Sequence, residues 1–522
     1  MIKLRIDNKE VSVPENTSVM KAAESAGVQI PAMCFMEGYT NHPSCMVCLV
    51  KDKVSGNLFP SCAMPVAEGM EVITGDEEVH EARKEALELL LSDHVGDCEA
   101  PCRNGCPAFM DIPLMNRLIA AGKFREALIT VKEEIALPLI LGYICEAPCE
   151  KVCRRVPIDE AVSICQLKKF VAARDIKSEQ SYLPEKEKNT GKKVAVLGAG
   201  PAGLAASFYL TRWGHQCVVF DKNKNAGGAL LQLSESVMPK EVLEAEISIL
   251  RQYGVGFRLD QKVDSVFFED EIKQNFDSII LATGESLEPE NKTLGILFDA
   301  KGFLVNKDTW ETNIPGIFAC GSAVRKQKMA IHVVAQGKEA ARAVNNYLLG
   351  KNPGCKHKMF NSRFGKLKPE EYKEYLKEAI PDGRLTPGSG ELQGFSMEEA
   401  IQESKRCMHC DCRKPVQCKL RIYSDEYGAD RRKYLSGERK TLSKHFNHEN
   451  IVYEAEKCIK CGLCVEITVK DKELTGLSFV GRGFDVKVDV PFNKTLHEAL
   501  TKTAAKCAEA CPTGAISIKI IL

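Results

Sequence analysis

This sequence has no charge excess, few aromatic residues and no long apolar run, and each shortage narrows the field. Seventy-one basic residues balance seventy-one acidic ones, so nothing points to nucleic acid or an anionic membrane as the main partner. The longest apolar stretch, Ile135 to Ile144, is interrupted by Pro138 and falls far short of a bilayer width, so no membrane span is expected. The opening segment, Met1-Ile-Lys-Leu-Arg-Ile-Asp7, alternates like a strand and lacks a basic region followed by an apolar one. The expected location is cytoplasmic, a reducing compartment in which closely spaced cysteines are better read as metal ligands than as disulfides.

What is abundant is cysteine, with 23 residues in a chain of 522. Most fall into groups with ligand-type spacing: Cys34-x10-Cys45-x2-Cys48-x13-Cys62, Cys98-x3-Cys102-x3-Cys106, Cys145-x3-Cys149-x3-Cys153, Cys407-x2-Cys410-x-Cys412-x5-Cys418, and Cys458-x2-Cys461-x2-Cys464 with a late Cys511-Pro512. Cys165, Cys217, Cys320, Cys355 and Cys507 stand outside these groups. Thiolates stabilise ferric iron in sulfide-bridged clusters; structural zinc is the competing reading. For Cys407 to Cys418, four thiols within twelve residues are read as a cluster site, with zinc as the alternative. The segment Cys98-Glu-Ala-Pro-Cys102-x3-Cys106 recurs as Cys145-Glu-Ala-Pro-Cys149-x3-Cys153, which predicts two similar cluster-binding loops in one helical domain.

Amid the cysteines lies one dinucleotide fingerprint, Gly198-Ala-Gly200-Pro201-Ala202-Gly203. It follows the apolar run Val194–Leu197 and opens a helical pattern. Glycines there let the backbone approach a pyrophosphate, which then rests on the amides of the helix N-terminus. The next strand, Gln216–Phe220, ends in Asp221, placed to bind a ribose hydroxyl.

Gly227-Gly228, Ala282-Thr283-Gly284 and Gly316-Ile-Phe-Ala-Cys320-Gly321 resemble the remaining cofactor motifs of the two-dinucleotide flavoprotein family, which implies FAD. That family usually has aspartate after the last glycine; here it is Ser322. Its second nucleotide domain is missing, because only about thirty residues separate Gly284 from Gly316 and no second fingerprint lies between them.

The four N-terminal cysteines, with Ile30-Pro-Ala-Met-Cys34 and Ser44-Cys45-Met-Val-Cys48, resemble the [2Fe–2S] ferredoxin domain of complex I and of iron-only hydrogenases. His94-x3-Cys98 continues that likeness, since the family holds its next [4Fe–4S] centre with one histidine and three cysteines. From Cys98 to about Phe170 the pattern resembles the dicluster domain of glutamate synthase small subunits and dihydropyrimidine dehydrogenase. That resemblance implies one [4Fe–4S] cluster on Cys106, Cys145, Cys149 and Cys153. It leaves a second on Cys98 and Cys102, with Cys165 and His94 as candidates for the remaining ligands. Cys458, Cys461, Cys464 and Cys511 are similar to half of a bacterial-type ferredoxin, and Thr468 takes the place of the nearby fourth cysteine, so one cluster is expected.

The expected architecture is multidomain α/β and α+β. It comprises a β-grasp [2Fe–2S] domain over residues 1–78, a helical dicluster domain over 79–182 and a Rossmann-like FAD domain over 190–350. A linker with the four-cysteine segment follows over 351–440, and a 4Fe-4S ferredoxin-like domain over 441–522. The expected cofactors are FAD, one [2Fe–2S] and three to four [4Fe–4S] clusters. The resemblances imply an electron-transfer subunit of a multi-subunit oxidoreductase, its partners a hydrogenase, a formate dehydrogenase or an NAD(P)H-oxidising module, and ferredoxin. Flavin-based bifurcation is left open. The alternatives are a self-contained oxidoreductase acting on NAD(P)H or a small substrate, and a non-redox scaffold stabilised by metals.

Overall fold

The computed structural model describes residues 1–178, 180–285, 295–354, 359–435 and 437–519. The chain divides into two compact units, one of residues 1–100, 358–378 and 408–521, the other of 101–357 and 379–407. Cys355 lies outside the described residues.

The first unit opens with a hairpin, Ile2–Ile6 paired antiparallel with Lys9–Val13. Asp7 and Asn8 make its turn at φ 47° and 69°, a left-handed pair that these two residue types tolerate. Ile2–Ile6 also runs parallel to Glu71–Ile73, and Leu49–Asp52 and Leu58–Pro60 complete a five-stranded mixed sheet. Alternation along the strands turns Leu4, Ile6, Val13, Val50 and Val72 onto the helix Val19–Ser25, where Val19, Ala22 and Ala23 are buried.

The helix Glu77–Asp93 starts at Asp76, whose carboxylate accepts from Val79 N at 2.9 Å. Its buried Arg83 donates to Leu49 O and Thr74 O, each at 2.9 Å, and to Tyr427 Oη at 3.1 Å. All three acceptors belong to the first unit, so residues 79–100 stay with it. The segment expected to run from 79 to 182 as one domain parts after Ala100. The C-terminal part of this unit is an antiparallel sheet of Lys444–His445, Ile451–Glu454 and Ile516–Ile518 with the helices Leu463–Lys470 and Ala504–Ala510.

The second unit is built on a parallel sheet in the order Ile317–Ala319, Ser278–Leu281, Lys193–Leu197, Gln216–Phe220, Gly256–Arg258. Strand Lys193–Leu197 is buried from Val194 onward, as its unbroken apolar run requires. Helices Pro201–Arg212 and Ala330–Leu348 pack closely because glycines remove the Cβ atoms between them: one added at Gly337 would meet Ala202 O at 2.3 Å. The helical stretch expected over Met110 to Glu134 is two helices, Ile112–Ala120 and Phe124–Glu134, parted at Gly122 with φ 72°. Helix Pro138–Ile144 begins on a carboxylate from elsewhere: Glu246 accepts from Leu139 N at 2.8 Å and Ile140 N at 3.2 Å. Burial pushes the Glu246 carboxyl up to about 7.

Among the described residues no helix is long and apolar enough to cross a membrane.

Gly203 and Gly284 separate two uses of glycine. A Cβ at Gly203 would lie 1.9 Å from Gly198 O, whereas one at Gly284, φ 78°, would meet nothing within 4 Å. Gly203→Ala is therefore expected to cost on the order of 3 kcal/mol by overpacking backbone against backbone, and Gly284→Ala about 1 kcal/mol from φ alone. Urea unfolding followed by circular dichroism checks the ranking, and equal midpoints for the two variants would contradict it.

Candidate functional site

The N-terminal cysteines Cys34, Cys45, Cys48 and Cys62 are all buried. Two of their sulfurs, Cys34 Sγ and Cys45 Sγ, are 3.4 Å apart. The neighbouring Cys45 and Cys62 thiols hold Cys34 far below the ordinary thiol range, and Cys62 holds Cys48 down to about 7. Met46, at φ 55°, turns the backbone between Cys45 and Cys48, and Asn41 Nδ2 donates to Cys62 O at 2.7 Å. The chemistry of this donor set, four buried thiols two of which favour the thiolate, fits an iron–sulfur centre.

A second small cavity, in the same unit, is lined by His94, Cys98, Cys412 and Cys418 together with Asp97, Lys414, Pro415, Arg421 and Lys457. Backbone hydrogen bonds assemble it: Cys412 N donates to Cys98 O at 3.3 Å, Cys98 N to Ser362 O at 3.1 Å, and Ser362 N returns to Cys98 Sγ at 3.3 Å. A Cβ at Gly514 would stand 2.3 Å from Cys412 Sγ. His94 Nδ1 lies 3.1 Å from Lys457 O; burial and the Lys457 charge lower the imidazole to about 4, so it is neutral at physiological pH. With Nδ1–H spent on the carbonyl, Nε2 carries the free lone pair, as in a ligating histidine.

A third cavity is lined by Cys458, Cys461, Cys464 and Cys511, the four cysteines grouped by the ferredoxin-like pattern. Lys460 N points at Cys458 Sγ at 3.3 Å and Ile516 N at Cys511 Sγ at 3.5 Å. The rest of the lining is Tyr453, Ile459, Gly462, Leu463, Val488, Pro512, Thr513, Ala515 and Ile516, without a charged side chain. Cys507 is fully buried with its thiol 3.8 Å from Cys464 O, outside this lining. Ligands of the three sites share one apolar cluster, in which Cys34, Cys45 and Cys418 are buried with Met33, Leu87, Leu91 and Leu420, and Ile459 and Cys461 pack against them.

In the second unit a cavity is lined by Cys106, Cys145, Cys149 and Cys165, with Lys168, Met110, Ile135, Ala147, Pro148, Ile164 and Ile331. Two sequence-based groupings are corrected here. Cys165 lines it where Cys153 was expected, and helix Pro148–Lys151 ends before Cys153. The Cys165 amide is fixed by Glu150 Oε1 at 2.9 Å, at the first turn of helix Ile164–Ile176. Its thiol holds Cys145 down to about 6. Burial lowers the buried Lys168 ammonium, but Cys165, Cys145, Cys149 and Cys106 together hold it above its ordinary value.

The other corrections follow from where the chain changes units. Of the cysteines grouped by sequence, Cys98, Cys412 and Cys418 line one cavity, and Cys165 lines another with Cys106, Cys145 and Cys149. Cys102 and Cys153 are half-buried against the main core of the second unit, in which Cys407 is buried. Arg155 Nη1 donates to Arg406 O at 2.6 Å, tying the loop after Cys153 to the residue before Cys407. Cys410 is half-buried in the first unit. Among the described residues no three His, Cys, Asp or Glu side chains close on a single ion.

A large cavity, about 780 Å³, lies at the carboxyl end of the parallel sheet. Of the predicted residues it is lined by Gly198, Gly200, Pro201, Ala202, Asp221, Gly228, Ala282, Thr283, Gly284 and Ser322. Gly203, Gly227 and Gly321 stand behind the lining, where a Cβ would meet Gly198 O at 1.9 Å, Leu243 Cδ2 at 2.8 Å and Ala202 Cβ at 2.8 Å. The Asp221 carboxylate accepts from Ala199 N at 2.7 Å and Asn223 N at 2.8 Å, which braces the glycine turn. A glycine cradle beneath a cavity of this size fits a dinucleotide cofactor. The interval between Gly284 and Gly316 holds, among its described residues, the two-stranded ladder Phe298–Asp299 and Gly302–Phe303.

Sequence reasoning missed Ile144, Met329, Ala330 and Val333 in this cavity, and Lys168 and Lys457 in the thiol cavities. Ile144 lines the large cavity and the adjoining Cys145 the thiol cavity. Ala330 and Ile331 divide in the same way.

Comparison with known proteins matches three segments of the chain. Residues 1–77 match the family described as a 2Fe-2S iron-sulfur cluster binding domain, 73–180 match dihydropyrimidine dehydrogenase domain II, 4Fe-4S cluster, and 166–338 match pyridine nucleotide-disulphide oxidoreductase. The NADPH-Fe(3+) oxidoreductase subunit beta of Geobacter sulfurreducens is 33% identical over 207 residues, 39% of this chain and 30% of that protein. The NADP(+)-dependent formate dehydrogenase subunit beta of Moorella thermoacetica is 32% identical over 207 residues, 35% of this chain and 29% of that one. The glutamate synthase [NADPH] small chain of Bacillus subtilis is 35% identical over 184 residues, 35% of this chain and 37% of that one. The chain thus spans about a third of the length of these curated relatives. Domain by domain, the chain is similar to a 2Fe-2S iron-sulfur cluster binding domain, to the 4Fe-4S domain II of dihydropyrimidine dehydrogenase and to pyridine nucleotide-disulphide oxidoreductases.

Proposed function

We propose that this chain is the FAD and iron–sulfur electron-transfer subunit of a larger oxidoreductase. The observation that carries the reading is the shared wall between the large cavity and the Cys106–Cys145–Cys149–Cys165 cavity, made by Ile144–Cys145 and Ala330–Ile331. When bound, a flavin and iron–sulfur clusters supply the exchange between paired and single electrons. The chain's own residues hold the two groups on either side of one layer of apolar side chains and keep water from between them. In the first unit the apolar cluster around Leu87, Leu91 and Leu420 does the same for three thiol sites.

The cofactor set in this reading is FAD, one [2Fe–2S] on Cys34, Cys45, Cys48 and Cys62, and [4Fe–4S] clusters on the two regrouped sites and on Cys458, Cys461, Cys464 and Cys511. Cys102, Cys153 and Cys407 supply thiols to a fourth. The relatives named as beta subunits of formate dehydrogenase and NADPH-Fe(3+) oxidoreductase support partner chains of that kind. A hydrogenase, an NAD(P)H-oxidising module and ferredoxin remain in the same class of partner.

Two expected outcomes follow. Cys412→Ser and Cys418→Ser remove the same electron paramagnetic resonance (EPR) signal that Cys98→Ser removes, while Cys102→Ser leaves that signal and removes another. If Cys98 and Cys102 abolish one signal together, the regrouping is wrong. In anaerobic titration of the full chain, dithionite bleaches the visible spectrum and NADH or NADPH alone does not. Rapid bleaching by either nucleotide would instead favour a self-contained NAD(P)H oxidoreductase.

A further inference from the structure

Lys457 occupies a place that no motif assigns. It directly precedes Cys458, a lining residue of the third cavity, yet its side chain lines the cavity of His94, Cys98, Cys412 and Cys418. The side chain is buried, 4% exposed, and its stem is clamped. A Cβ at Gly96 would meet Lys457 Cγ and Cε at 2.9 Å, and one at Gly514 would lie 3.9 Å from Lys457 Cδ. Its carbonyl takes the His94 Nδ1–H at 3.1 Å and the Thr513 hydroxyl at 2.9 Å. Val95 N donates to Glu456 O at 2.9 Å, so the two backbones run together on both sides of the histidine.

The ammonium is fixed by Glu454, Oε2 to Nζ 2.5 Å. Glu454 is shared with Lys444 at 3.4 Å, which also faces Glu378 at 3.6 Å, itself paired with Arg413.

We propose that Lys457 is a positioning residue that sets the relative reduction potentials of two neighbouring clusters, orienting His94 through its carbonyl and raising the potential of the His94–Cys98–Cys412–Cys418 centre through its ammonium. The proposal rests on the cluster sites proposed above. A cation buried beside a cluster stabilises the reduced, more negative state, and a low local dielectric strengthens the effect. A neutral imidazole in place of one thiolate acts in the same direction. The site around Cys458 has no charged side chain in its lining, so its potential lies lower. With clusters bound at both sites, one electron would pass favourably from the Cys458 site to the His94 site, oxidising the first and reducing the second, with no bond made or broken and no proton moved.

The test is an anaerobic redox titration of the full chain followed by EPR, with the His94 centre identified by its histidine nitrogen coupling in pulsed spectra. Lys457→Met is expected to shift that midpoint downward by more than the midpoint of the Cys458 centre, and Lys457→Arg to restore it. Glu454→Gln, which removes the counter-anion, is expected to shift it upward, and this variant decides the matter if Lys457→Met loses iron. Equal shifts at both centres, or none, overturn the role of Lys457 while leaving the sites in place. Absence of any histidine-coupled signal overturns the site itself, and the proposal with it.

Discussion

The backbone hydrogen bond from Cys412 N to Cys98 O joins two passes of the chain that lie far apart in sequence. Between those residues the polypeptide leaves the first unit, builds the parallel sheet and its helices, comes back for residues 358–378, leaves again and returns at Met408. Ser362 on the middle visit meets Cys98 through both its amide and its carbonyl. Three passes of the chain are thereby fixed within one residue of the same sulfur. Closing long loops is entropically costly but only logarithmically so, and the apolar cluster of Leu87, Leu91, Leu420 and the neighbouring cysteines offsets it.

Charge is the second constraint. Gathering thiolates in a dry interior is unfavourable without compensation, and the cavities answer differently. Lys168 stands beside Cys145 and Cys165, and Lys457, Lys414 and Arg421 line the cavity of Cys98, Cys412 and Cys418, whereas the cavity of Cys458 relies on backbone amides and apolar walls. Cavities of similar ligand count therefore differ in the field they impose, which is how one polypeptide can hold chemically similar groups at distinct working points.

What could be read from the sequence was whatever is local. The fingerprint from Gly198 to Gly203 carries its strand, turn and helix within a dozen residues, and the structure places these glycines at or just behind the large cavity. Cys458, Cys461, Cys464 and Cys511-Pro512 carry their own signature and line one cavity. Groupings that depend on where the chain changes units were not legible. The repeat that likens Cys98–Cys106 to Cys145–Cys153 is real as sequence, but its first copy is cut after Ala100, and Cys407 and Cys412 are parted after Cys407. Cys165 lines the cavity where Cys153 was expected, and helix Pro148–Lys151 ends before Cys153, an ending that spacing alone does not encode. Lys168 and Lys457 gave no signal at all, since a lysine beside a cysteine is ordinary until its burial is known.

The split of the His94–Cys98–Cys412–Cys418 site also sets a timetable for synthesis. His94 and Cys98 leave the ribosome roughly three hundred residues before Cys412 and Cys418, an interval on the order of 15–60 s at ordinary elongation rates. Throughout that interval the nascent chain exposes half a ligand set with nothing to close it. The Cys106–Cys145–Cys149–Cys165 set is complete as soon as residue 165 emerges, so the second unit can be loaded while the first is still open. The order of assembly is thus written into the chain path: the Cys106 set comes first, the set split between His94 and Cys418 second, and the Cys458 set only when Cys511 has emerged.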